Sequence, residues 1–372
     1  MQRLDALLQQ AIQDSIMPGA VICVGYQGRL IWHRAYGAAA LTPMWRPMRQ
    51  DTLFDIASLT KVVATTTLLL QAHHDGVCRL DDVVQHFYPQ VKHTRLGMVT
   101  IRQLLAHTGG VKAWHPVYRL LLPLDPTQLA ADSSQARRDK TVQTILRMPL
   151  AYPPGTQSVY SDLGFILLGH LLETLYTQPL STLFLDKVAH PLGLQSTAYR
   201  PQHGASRLPE SPTAYAATEA CPWRGCVLSG EIHDENAWAM GGIAGHAGLF
   251  ATAKDLWRFA QAQLDGANGK LDWLPAELIK ASWKRQWMFE GHTRALGWDT
   301  PTPGLSSAGQ FFSPQSIGHL GFTGTSMWVD PQHDVTVILC TNRIHPTRHS
   351  TGIQRLRPAV HNRVMRALGV AG

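Results

Sequence analysis

The chain has 372 residues, enough for two domains or for one large domain carrying an insertion. Its 45% hydrophobic and 16% charged residues are those of an ordinary globular protein, which excludes disordered and collagen-like classes. The 33 basic and 26 acidic side chains leave a net charge of +7, and the longest basic cluster, residues 343–357, is diluted by His and Pro, which argues against a nucleic-acid surface.

At the N-terminus, Leu4, Leu7, Leu8, Ala11 and Ile12 recur at helical spacing between polar residues, which predicts a docking helix. This segment lacks the uninterrupted apolar stretch of an export signal, so a cytoplasmic location is expected, or a periplasmic one if such a signal has been removed. AVICVGY and LIWHRAYG then flank Gln27-Gly28 and read as a β-hairpin. Residues 57–290 are richer in helical pattern, clearest in TKVVATTTLLLQAHH, FILLGHLLETLY and AKDLWRFAQAQL. The most apolar stretches, residues 62–70 and 165–172, are far too short to span a membrane. Residues 199–225, rich in Pro, Ser and Ala, predict a long loop on the surface or lining a cleft. A second hairpin is expected from residues 322–329 and 335–341 around Asp330-Pro331-Gln332-His333-Asp334, followed by an amphipathic helix over 355–368. Hairpins need further strands to be stable, so the pattern implies one antiparallel sheet assembled from both chain ends. The expected organisation is an α/β (α+β) fold. Its sheet domain comprises residues 1–56 and 291–372, the inserted mainly helical domain residues 57–290, and the active site lies in the cleft between them.

The nucleophile elbow, the zinc-binding helix, the phosphate loop and the dinucleotide fingerprint are all absent from the sequence. What remains is Ser58-Leu59-Thr60-Lys61, where an extended approach turns into an apolar helix. Three residues apart on a helix, Ser58 and Lys61 share a face, and helix N-terminal amides favour negative charge beside Ser58. Taken alone, the string more readily describes a capping serine and a solvated lysine. The second element is Tyr160-Ser161-Asp162 before another apolar helix: a buried phenol near a lysine loses its proton more easily, while the bland alternative is a packed Tyr with Asp162 as N-cap. The third is Gly318 to Thr325, whose glycines let a backbone or ligand approach a strand closely, or mark a tight bend.

In this order and context the three elements resemble the serine β-lactamase and penicillin-binding-protein superfamily, whose class A members carry SxxK, SDN and KTG. The version here is closer to class C β-lactamases and family VIII esterases, with SxxK, Tyr-x-Asn and a Lys/His-x-Gly strand. The resemblance covers nearly the whole chain and includes LLAHTGG, GGIAGHAGLFATAKDL and VILCTNRIHP. RGCVLSGEIHDENA is similar to a branch holding exo-acting N-acetylmuramoyl-L-alanine amidases and penicillin-binding-protein 4B-like esterases.

The resemblance implies a β-lactamase/transpeptidase-like fold and an acyl-enzyme on Ser58. Lys61 and Tyr160 would share acid and base work, and the Ser58 and Phe322 amides would form the oxyanion hole. Asp162, His319, Gly321 and Thr323 fall at substrate-binding positions. Asp162 replaces the usual Asn, and its charge favours a protonated Lys61 and Tyr160 as the base. His319 and Leu320 stand where β-lactamases and DD-peptidases carry Lys and Thr, which disfavours efficient β-lactam hydrolysis. A neutral ester, or an amide with its anionic group elsewhere, fits better, and the charge on His319 is expected to change near neutral pH.

The substrate implied is a muropeptide cut at its N-acetylmuramoyl-L-alanine amide, with a small ester as the alternative; the presence of Ser58, Lys61 and Tyr160 together argues against a sensor without turnover. His233, Asp234 and His246 lack a tight ligand spacing, so neither a metal nor a cofactor is expected. Trp114, Trp223, Trp238 and Trp298 are expected as packing anchors, and the five cysteines as reduced thiols.

Overall fold

A computed structural model describes residues 1–121, 134–202, 206–289, 292–304 and 306–370. Of the loop expected at 199–225, positions 203–205 lie outside the described residues, as does the boundary expected at 290/291. Helix α1 (Gln2–Gln13) leads into β1 (Gly19–Tyr26), β2 (Arg29–Ala40) and the short β3 (Arg46–Pro47). The interior helices that matter most for the site are α2 (Thr67–His74), α3 (Asp162–Tyr176) and α4 (Ala253–Ala267). The chain then returns through β4 (Ile317–Leu320), β5 (Ser326–Asp330), β6 (Val335–Thr341) and α5 (Ile353–Ala367).

The six strands form one antiparallel sheet in the order β4-β5-β6-β1-β2-β3. The two chain ends meet where β1 pairs with β6, Val24 facing Val337 and Ile22 facing Leu339. Alternation along these strands divides the core in two. Ile22, Val24, Val337 and Leu339 face α1 and α5, packing on Leu4, Leu8, Leu356 and Val360. Val21, Cys23, Ile338 and Cys340 face the other way, onto the core shared with α2, α3 and α4. Each such fully buried aliphatic side chain contributes roughly 1.5–3 kcal/mol. The last hairpin differs from its expected bounds: residues 321–325 form a turn between β4 and β5, because the Gly321 amide donates to Thr325 O at 2.8 Å and closes a bend there. No helix among the described residues is long and apolar enough to cross a membrane. All five cysteines are free thiols.

The site is seated by a close approach between α3 and the glycine-rich segment 241–248. A Cβ on Gly169 would fall 2.7 Å from the Gly245 backbone, and one on Gly245 would fall 2.2 Å from Phe165 O. Thr65 Oγ1, on the turn leading into α2, donates to Gly245 O at 2.6 Å and ties the same segment to the helix that follows Ser58. The substitution Gly245→Ala is therefore expected to cost about 1–3 kcal/mol of stability, read as a lower urea midpoint with an unchanged slope.

Candidate active site

Local structure first aims Ser58. Asp55 is fully buried, and its carboxylate accepts the amides of Ala57 and His233, both at 2.8 Å. Burial raises the Asp55 pKa, and these two amides offset part of that rise. Thr323 Oγ1 donates to Asp55 O at 2.7 Å and Thr325 Oγ1 to Ile56 O at 3.2 Å, fastening the approach to the 321–325 turn. These bonds hold Ala57 at φ +47, a left-handed conformation that costs a non-glycine residue about 1 kcal/mol. Ser58 follows within the 3₁₀ turn Ala57–Leu59, and Lys61 opens the π-helical turn Lys61–Thr66 that runs into α2. The helix therefore begins with one tight and one wide turn, an irregularity that recurs at functional sites.

Lys61 is completely buried, and Nζ donates to Ser58 Oγ at 2.9 Å, Asp162 Oδ1 at 2.7 Å and His246 O at 3.1 Å. Three acceptors match the three hydrogens of an ammonium group. Burial alone would lower the Lys61 pKa; Asp162 and then Tyr160 outweigh it, and the net shift is upward. Asp162 is not the N-cap of α3. Ser161 takes that place, its Oγ accepting from the Gly164 amide at 3.1 Å, because only a side chain one residue before the helix reaches the exposed amides. As the first helical residue, Asp162 has its carboxylate free to meet Lys61.

Tyr160 lies across the same lysine, with Nζ 4.8 Å from its ring centroid. Its phenol oxygen is buried, and among the described residues no partner completes a hydrogen bond of good geometry. Burial raises the Tyr160 pKa, Lys61 pulls it back and Asp162 pushes it up again, leaving it above the ordinary value. His107 packs on the phenol ring at 4.6 Å and accepts the Ser161 amide at Nδ1, 3.0 Å away. Burial, then Arg294 and Lys61, hold His107 neutral.

His319, on β4, donates Nδ1–H to Leu320 O at 2.9 Å, and its buried Nε2 has no partner among the described residues. Burial and the charges of Lys61 and Arg294 push its pKa far below the ordinary value. The charge change expected of His319 near neutral pH is thereby overturned: an imidazole this deep among cations stays neutral. Thr323 is corrected as well, since it is 2% exposed and its hydroxyl is spent on Asp55 O, so it braces the turn and faces no substrate. Gly321 lines the cleft, and a Cβ there would fall 2.0 Å from Thr325 Oγ1. Phe322 is 48% exposed; its ring stacks on His233 at 5.6 Å, and its carbonyl accepts Arg343 Nε at 2.9 Å and Nη2 at 2.6 Å. Among the described residues the amides of Ser58 and Phe322 donate to no protein acceptor.

Ser58, Tyr160, His319 and Phe322 together line a cleft of ≈ 330 Å³. Arg294, Arg343 and Arg357 line it too, a feature that sequence reasoning missed although the 343–357 basic cluster contains two of the three. The three residues weighed as metal ligands go to separate pairs, His233 with Glu219 at 3.1 Å and His246 with Asp234 at 2.9 Å. Burial would raise the Glu219 carboxyl, but His233 and Arg348 bring it down to about 2. Among the tryptophans, Trp298 is a core anchor and Trp238 packs against that core; Trp223, though partly exposed, stacks on Tyr118 at 5.7 Å and meets Trp238 edge-on at 5.2 Å, whereas Trp114 is nearly half exposed.

This geometry accords with what known proteins show. Residues 4–360 match the family model described as Beta-lactamase. A protein of Escherichia coli (strain K12) named "Putative D-alanyl-D-alanine carboxypeptidase" is 30% identical, over 93% of this chain and 82% of its own length. An "N-acetylmuramyl-L-alanine amidase" of Bacillus subtilis (strain 168) is also 30% identical, over 93% of this chain and 81% of its own. Among solved structures, the hydrolase EstCE1, described as having promiscuous acyltransferase activity, superposes with a TM-score of 0.72 at 23% identity, covering 97% of this chain and 98% of its own. A class C beta lactamase from Rhodobacter sphaeroides does so at 0.73 and 18% identity, covering 98% of this chain and all of its own. With its SxxK serine and lysine in hydrogen-bond contact inside such a fold, the chain belongs to the Beta-lactamase family of serine hydrolases.

Proposed function

We propose that the protein hydrolyses the N-acetylmuramoyl-L-alanine amide of cell-wall fragments through an acyl-enzyme on Ser58. The contact that carries the catalytic assignment is Lys61 Nζ to Ser58 Oγ at 2.9 Å, made by an ammonium that Asp162 keeps charged. Ser58 accepts from Lys61 and so keeps its own proton for another base. Lys61 has no lone pair to offer while all three of its hydrogens are engaged. Tyr160, whose buried oxygen has no completed bond, is then the group that receives this proton once it is a phenolate.

In the acylation step Ser58 Oγ attacks the amide carbonyl carbon, and its proton passes to the Tyr160 oxygen. The carbonyl oxygen becomes an oxyanion held by the Ser58 and Phe322 amides, each such donor being worth roughly 3 kcal/mol. The C–N bond breaks as Tyr160 returns the proton to the leaving nitrogen. Water then attacks the acyl-enzyme, Tyr160 taking one of its protons and restoring the Ser58 hydroxyl. Support for the amide comes from the Bacillus subtilis relative named as an amidase. It comes also from the neutral His319, which offers no cation at the place where DD-peptidases and β-lactamases carry a lysine.

Incubation with N-acetylmuramoyl-L-alanyl-D-isoglutamine should release the L-alanyl peptide, and Ser58→Ala should lower the rate roughly 10³-fold or more. Intact muropeptide together with fast turnover of short-chain p-nitrophenyl esters would move the assignment to a small-ester hydrolase. A second expectation concerns pH. Asp162 raises the pKa values of both Lys61 and Tyr160, so the active, singly deprotonated site grows as pH rises into the alkaline range. The substitution Asp162→Asn removes that charge and lowers both values, so the rise of kcat/KM should move to lower pH.

A further inference from the structure

His233 takes no part in the acid and base chemistry, yet it is only 5% exposed and bound on several sides. Its amide donates to Asp55 Oδ2 at 2.8 Å, and the other oxygen of that carboxylate accepts the Ala57 amide just before Ser58. Its ring stacks on that of Phe322, with centroids 5.6 Å apart and planes 23° from parallel. Glu219, being an ionised carboxylate, only accepts, so His233 Nε2–H donates to Glu219 Oε2 at 3.1 Å and the plane of the imidazole is fixed. Glu219 is held in turn by Arg348, whose Nε lies 2.8 Å from Oε1 and whose Nη2 also donates to Glu235 Oε1 at 2.9 Å. One residue therefore reaches both expected oxyanion donors, the Ser58 side through its backbone and the Phe322 side through its ring.

The Phe322 side needs such support. Phe322 sits in the 321–325 turn between two strands, and its half-exposed ring has no core to lie in. Its amide turns with the Gly321–Phe322 peptide plane, and a glycine neighbour leaves that plane freer to rotate. Arg343 fixes the Phe322 carbonyl, and its guanidinium lies 4.6 Å from the ring centroid. The flat face of His233 supplies the remaining contact. We propose that His233, anchored by Glu219, is a positioning residue for the oxyanion hole that holds the Phe322 amide at a set distance from the Ser58 amide. The buried Asp55 carboxylate is the common reference for both donors. The proposal rests on the acyl-enzyme reading of Ser58 and Phe322, and it holds for an amide or an ester alike. Because the oxyanion exists only beyond the ground state, loosening this brace acts on kcat and spares KM.

Phenylboronic acid reads the hole without the natural substrate. Ser58 Oγ bonds to boron, the hydroxyl proton passes to the Tyr160 oxygen, no bond to boron breaks, and the tetrahedral anion places an oxygen between the two amides. In calorimetric titration of the whole protein, His233→Ala should bind the boronate roughly ten- to a hundredfold more weakly than the wild type. His233→Phe keeps a stacked ring and should stay within about fivefold of the wild type. Glu219→Gln, which frees the imidazole to turn, should weaken binding about three- to tenfold. On whichever substrate the wild type turns over, N-acetylmuramoyl-L-alanyl-D-isoglutamine or p-nitrophenyl acetate, His233→Ala should lower kcat by the same factor as the boronate affinity and leave KM within about twofold. A lower thermal midpoint with boronate affinity and kcat unchanged would mean a brace for the fold alone and would overturn the proposal. So would a His233→Phe variant as weak as His233→Ala. Should His233→Ala fail to fold, wild-type affinity in Glu219→Gln would overturn it instead. No adduct with the wild type would sink the Ser58 reading itself, whereas adducts of equal strength in all folded variants would leave that reading standing and remove His233 from it.

Discussion

A lysine ammonium with no solvent contact is the constraint on which the rest of this site is built. Taking such a charge out of water costs several kcal/mol unless acceptors surround it. Lys61 finds them in three places that the chain must bring together: the hydroxyl one turn earlier, the carboxylate at the head of α3, and a carbonyl of the glycine-rich segment. Each in turn imposes its own requirement. The carboxylate is free for Lys61 because Ser161 caps α3 in its place. The His246 carbonyl arrives because Gly169 and Gly245 allow two backbones to touch. The hydroxyl is aimed by Asp55, which spends a buried carboxylate on the two amides that hold the bend before Ser58.

The same charge governs its neighbours. His107 and His319 are both held neutral by burial with Lys61 and Arg294 nearby, so neither imidazole adds a charge beside Tyr160. The acidity of the phenol is set by burial, Lys61 and Asp162, and the Arg294 guanidinium also lies over its ring at 5.1 Å. An Asp where the resembling enzymes usually carry Asn keeps the lysine firmly charged and raises the pKa of the phenol beside it. Beyond this inner set the cleft is lined by three arginines and by Asp299, a more cationic character than that of the balanced pair at its base.

Much of this could be read from the sequence because it is local. Ser58 and Lys61 are three residues apart on one helix, and the β1 and β6 alternations declare their faces without any knowledge of partners. What escaped is what depends on depth or on distant segments. Nothing in the string around His319 reveals that it is buried among cations, and burial together with those charges reverses its expected behaviour. Thr323 reads as a cleft hydroxyl until the Asp55 carbonyl, 268 positions away, takes it. Arg294, Arg343 and Arg357 come from a strand, a loop and a helix, with no spacing that marks them as a set. The onset of β5 was misplaced because a Gly321 turn needs an acceptor at Thr325 that periodicity cannot show.

The pairing of β1 with β6 has a consequence for how this protein is made. Val24 and Val337 are neighbours in the sheet but lie far apart along the chain, so one is synthesised long before the other. The N-terminal hairpin emerges from the ribosome with one edge of β1 unsatisfied, and it stays so until the last strand has been released. Contacts of such long sequence separation slow folding, and an unpaired edge is a template for association with other chains. The molecule thus depends during synthesis on whatever shields an open strand, and a ribosome stalled before β6 would release a hairpin with no partner to complete it.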